Sequence, residues 1–201
     1  MRHLLFVLCL TALVSPVLRA QNLIPEERDK AIKYLEKTRA GVLEATKGLS
    51  EAQWNFKPAP DRWSVAEVTE HIAAAEDFLM NMIQEKVMKA PARTEADDVK
   101  ALDELVLQKI PDRTNKAQAP EPLRPTNRFG SPKASLKHFK ESRAKTILFL
   151  KNTKDLRLHA ADSPLGKKLD GYEWVLFIAA HSERHTKQIN EVKADPNFPR
   201  K

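Results

Sequence analysis

The sequence is poor in the residues that several kinds of chemistry depend on. Its 201 residues include one cysteine, Cys9, which lies inside an apolar run near the N-terminus. Disulfide frameworks, thiolate metal sites and cysteine nucleophiles are therefore excluded from the rest of the chain. Aromatic residues make up 6% and are not interleaved with clustered lysine and arginine. The excess of base, +7, is scattered as mixtures of lysine and glutamate over prospective helix surfaces. This pattern describes a solvated surface and excludes a nucleic-acid footprint. No apolar run reaches the roughly 20 residues that a membrane span requires.

The longest such run, Leu4 to Leu18, follows Arg2 and His3 and precedes Arg19-Ala20. That order is the pattern of a secretory signal peptide over residues 1–20, and it implies an exported protein, periplasmic or extracellular. An uncleaved anchor is the alternative, since Leu18 stands where a small residue is preferred. Cleavage would lower the net charge to +5, because Arg2 and Arg19 leave with no acid. Residues 21–201 remain, enough for one domain with a real core.

What is present is helical periodicity. Pro25-Glu26-Glu27 suits a first helical turn, and Ala31, Leu35, Thr38, Val42, Ala45 and Leu49 form its seam. An aromatic, proline-rich connection from Trp54 to Arg62 leads to Ser64-Val65-Ala66-Glu67, a capping box with Trp63 and Val68 as its staple. The second helix then carries His71 beside an inward face of Val65, Val68, Ile72, Ala75, Leu79 and Met82. From about 90 to 131, Pro91, Pro111, Pro120, Pro122, Pro125 and Gly130 break any long helix, although 97–108 can form a short one. A connection of that length in a compact domain is usually functional. Ser131-Pro132 starts a third helix with a core face of Leu136, Phe139, Ile147 and Leu150, and Arg143 falls on the same face. Either a buried acid pairs with it or its stem carries the charge outward. The expected class is all-α, a four-helix bundle with a long crossover loop between helices 2 and 3.

The last helix carries the densest signal. Asp170 and Glu173 form a cap, Leu169 and Trp174 a staple, and Trp174, Ile178, His181, His185, Gln188 and Val192 follow alternating steps of four and three. His181 and His185 project from one helix face, so one ion can reach both rings. A seam histidine taken alone reads first as a core residue satisfied by its neighbours. His71 lies about two turns into its helix and the pair about three turns into theirs, so the three rings meet if those helices are neighbours. His138 and His159 have no histidine at helical spacing and are expected at the surface. Glu67 reads as a cap, Glu183 as facing away from the seam, and Ser182 has no partner that would activate it.

The segments Trp54 to Pro58, Arg62 to Glu67 and His71, together with Leu176 to Ile189 and Ala119 to Thr126, resemble the DinB/YfiT-like superfamily across essentially the whole domain. The resemblance implies a four-helix bundle, commonly a homodimer. It also implies a divalent metal held by one histidine of the second helix and two of the last, here His71, His181 and His185. Three imidazoles leave a coordination position open, as catalytic sites do. The donors suit zinc or nickel, with iron, copper or manganese as alternatives. Water in the open position would be acidified towards a pKa of about 7, which suits a hydrolase. A non-catalytic protein holding a metal or small ligand shares every residue of that site, and a thiol S-transferase is a third reading. The expected partner is a small-molecule substrate or ligand, with no nucleic acid and, after loss of the leader, no membrane.

Overall fold

The computed structural model describes residues 23–93 and 98–200; the leader expected over residues 1–20, with Cys9, lies outside them. Four long helices form the bundle: α1 (Pro25–Thr46), α3 (Val65–Met82), α5 (Pro132–Asn152) and α6 (Gly171–Lys193). A five-residue helix, α2 (Glu51–Asn55), precedes α3, and α4 (Val99–Lys109) stands between α3 and α5. An antiparallel ribbon of β1 (Ala160–Asp162) and β2 (Lys168–Asp170) leads into α6. Among the described residues no helix is long and apolar enough to cross a membrane.

The helix starts are built by the capping residues expected. Ser64 accepts from the Glu67 backbone while Glu67 reaches back to Ser64, and Asp170 and Glu173 repeat the exchange at α6. Ser131 caps α5 through Ala134. A third capping box, Ser50 with Gln53, starts α2. That helix is absent from the sequence reading because its single turn is too short for periodicity to register.

Packing places α6 at the centre. It lies against α1, α3 and α4, and α3 packs in turn on α5. Residues 171–180 of α6 are buried on every side, as an all-round apolar helix segment must be. Gly171 is closely packed there: a β-carbon would stand 3.0 Å from the Leu156 carbonyl oxygen and 3.1 Å from Met88 Sδ, so its neighbours would have to give by a few tenths of an ångström to admit one. α3 ends in a π turn, Ile83–Val87, which returns Ile83 and Val87 to the core; Met82, expected inward, is only partly buried. Arg143 is fully buried and paired with Glu76, which resolves its two readings in favour of a buried acid. His138 and His159 are not plain surface groups. His138 meets Asp77 and stacks on Phe129, and His159 bonds to the Ala90 carbonyl.

Candidate metal centre

Because α3 and α6 are neighbours, His71 meets the pair on α6. His71 Nε2 lies 3.3 Å from His181 Nε2 and 3.1 Å from His185 Nε2, and the last two are 3.1 Å apart. Among the described residues this is the one group of three or more metal-ligating side chains that converges in this way. Trp63 packs on the His71 ring at 4.9 Å between centroids, and Phe177 lies parallel to His181 at 6.4 Å. His71 and His185 are buried and His181 keeps an exposed edge.

The outer ring atoms decide what the inner ones can do. His71 Nδ1 lies 2.8 Å from the Leu123 carbonyl oxygen, which only accepts, so Nδ1 carries the proton and Nε2 the lone pair. His185 Nδ1 lies 2.8 Å from Gln188 Oε1. An amide orientation is ordinarily ambiguous, but Arg113 Nη1 also donates to that atom at 3.3 Å, and arginine has no acceptor to meet a flipped amide. His185 therefore also presents its Nε2 lone pair inward. Two lone pairs 3.1 Å apart cannot hydrogen-bond to each other. A cation between them resolves the conflict. Imidazoles bound to zinc at about 2.0–2.1 Å in a tetrahedral set hold their nitrogens about 3.3 Å apart, close to the spacing here.

Charge is held off all three rings. Burial pushes His71 below the ordinary histidine range, helped by Arg128 and opposed by the Leu123 hydrogen bond. Burial likewise drives His181 well down, with His71, Arg184 and Arg143 adding to the effect. His185 is driven well down by burial and by its two partners. Neutral imidazole is the form that ligates metals.

The neighbouring acids are all engaged. Glu67 caps α3 and meets Lys57, Glu183 meets Tyr34 and Lys187, Glu76 meets Arg143, and Glu70 accepts from loop backbone. Ser182 accepts from Arg143 and donates to the Ile178 carbonyl, so it has no activating base. Gln188 was on the expected seam without an assigned role. Its place three residues after His185 was the available signal, whereas the Leu123 carbonyl had none, being backbone.

Comparison with known proteins bears on this arrangement. The family model of the DinB superfamily matches residues 34–189. The protein YuaE of Bacillus subtilis (strain 168) is 33% identical over 150 residues, covering 73% of this chain and 87% of that one. Among solved structures, YfiT from Bacillus subtilis superposes with a TM-score of 0.54 at 18% identity, over 88% of this chain and 91% of its own. YfiT is described as a probable metal-dependent hydrolase with an unusual four-helix bundle topology. At that identity the likeness speaks for the fold.

Proposed function

Since this chain belongs to the DinB superfamily, we propose that it is a metal-dependent enzyme, most simply a hydrolase, in which His71, His181 and His185 hold a divalent ion. The observation that carries the reading is the pair of inward lone pairs on His71 and His185, fixed by Leu123 and Gln188. The fold shared with YfiT supports it. Zinc or nickel suits three neutral imidazoles first, with iron, copper or manganese after them. Such an ion supplies Lewis acidity, polarising an acyl-type centre and acidifying water.

The protein's own groups set the conditions for that chemistry. Burial keeps the rings neutral and ready to ligate. Trp63 and Phe177 wall two of the rings with apolar surface, which limits competing water. A second reading, an exported bundle that binds a metal or a metal-liganding molecule without turnover, draws on the engagement of Glu67, Glu70, Glu76 and Glu183 in other bonds. A hydrolase needs a proton carrier near the site.

Elemental analysis of protein purified without chelator or affinity tag tests the proposal, beside His71→Ala and His185→Ala. Near-stoichiometric metal in the parent and its loss in both variants is expected; hydrolysis assays with that ion then separate enzyme from binder. A parent that holds no metal and takes up neither zinc nor nickel on titration overturns the site.

A further inference from the structure

Both hydrogen bonds that orient the inward lone pairs lead to the connection between α4 and α5. Leu123, in a short 3-10 turn at Glu121–Leu123, supplies the acceptor for His71. At the other end of the connection, Arg113 fixes the amide that orients His185. Neither anchor belongs to a long helix, Leu123 having only the bonds of its single 3-10 turn, so other contacts must hold the loop in place.

At the Leu123 end the holder is Glu70, the residue before His71. Its carboxylate accepts the backbone N–H groups of Thr126 at 2.8 Å, Asn127 at 2.8 Å and Arg128 at 3.1 Å, and the Arg128 side chain at 3.3 Å. Asn127 has a φ of 61°, the left-handed region that turns consecutive N–H groups toward one anion. Arg128 then donates to the carbonyls of Pro122 and Arg124, on either side of Leu123. The chain of contacts runs from Glu70 through Arg128 to the carbonyl that orients His71. At the other end, Arg113 makes paired bonds to Glu191 at 2.6 and 2.7 Å, and this pairing sets the guanidinium against Gln188.

We propose that Glu70 and Arg113 are positioning residues, each fixing the ring tautomer of one histidine through opposite ends of the α4–α5 connection. The proposal rests on the metal reading for its purpose but not for its test. Substituting Glu70→Gln leaves one acceptor oxygen and turns an amide NH₂, which only donates, toward backbone donors, so the turn around Leu123 loses its anchor. Substituting Arg113→Met frees the Gln188 amide to flip and present its NH₂ group to His185.

The test is the ring ¹⁵N spectrum of metal-free protein at mildly alkaline pH, read for which nitrogen of each imidazole carries hydrogen. In the parent, His71 and His185 should both be protonated at Nδ1 alone. Glu70→Gln should mix the tautomers of His71 and leave His185 unchanged, and Arg113→Met should do the reverse. Zinc affinity, from competition with a chromophoric chelator, should fall by about tenfold or more in each variant. A variant that leaves its own histidine unchanged overturns the assignment of that residue, and a variant that alters both rings alike shows general loosening and overturns the proposal. Because the tautomers are read without metal, failure here is distinct from a parent that binds no ion.

Discussion

Around Arg143 every donor has an acceptor. Its five N–H groups meet both oxygens of Glu76, the Leu35 carbonyl, Thr38 and Ser182 at 2.7–2.8 Å, with no solvent exposure. One residue away on α6 from that contact, at His181, three ring nitrogens crowd together and at least two of them offer only lone pairs. The first cluster is closed: it needs nothing further and serves the fold. The second is open: at least one inward lone pair has no donor to meet it. Burial of polar groups therefore does not by itself separate a functional site from a structural one; the donor and acceptor balance does.

The comparison breaks first if the closed cluster is opened. Glu76→Ala leaves a guanidinium buried without its counter-charge, and should lower stability by about 3–5 kcal/mol. Replacing both partners by apolar residues, Glu76→Met with Arg143→Met, should recover a large part of that loss. Urea unfolding reads both. A cost below about 1 kcal/mol for Glu76→Ala would mean that water or another group completes the cluster.

The open cluster should respond to an added divalent ion instead. Zinc at about 100 times its dissociation constant should stabilise the parent by about 2.7 kcal/mol, seen as a raised melting temperature. His181→Ala should abolish that gain. Equal stabilisation of parent and variant would place the zinc elsewhere and remove the contrast.

Acid sharpens the difference without metal. The folded-state pKa values of His71, His181 and His185 are depressed by burial, so the unfolded chain takes up protons first as pH falls below 6.5. Metal-free stability should be intact above that pH and then fall by up to about 1.4 kcal/mol per pH unit for each ring. His71→Ala should reduce the slope. At the start of α6 the sign reverses. Burial and the neighbouring Asp170 raise the Glu173 carboxyl from 4.5 to about 8. The folded form thus keeps a proton that the unfolded chain has lost, and stability declines as pH rises from about 4.5 to 8. Glu173→Gln should flatten that decline while leaving the acid limb in place. Denaturant midpoints across pH 5–9 for the three metal-free proteins test both signs.

Much of this was legible in the residues. The caps at Ser64, Ser131 and Asp170 and the seams of α1, α3, α5 and α6 gave the bundle, because capping and amphipathic burial are local consequences of sequence. His181 and His185 were legible as a pair, since helical spacing alone puts them on one face. The ribbon of β1 and β2 was not read, for strands of three residues carry too little alternation to register. Nor were the groups that orient the rings. The Leu123 carbonyl and the bonds of Glu70 and Arg113 depend on how a proline-rich connection crosses the bundle, and chain spacing does not encode that path.

The smallest expected effect concerns the residue that touches both clusters. Ser182 lies between the two site histidines of α6 and accepts from Arg143 Nη2 at 2.8 Å. Ser182→Ala removes one acceptor of five from a network that keeps its ion pair, so the cost should be about 1 kcal/mol. If the clusters are independent, zinc affinity should then stay within about twofold of the parent, because neither ring bonds to the serine hydroxyl. A tenfold loss of affinity at the same small cost would mean that the closed network sets the rotation of α6, and with it the separation of the three nitrogens. Arg143 would then belong to the site as well as to the core, and the line between the two clusters would fall at the Glu76 side of the guanidinium instead of at Ser182.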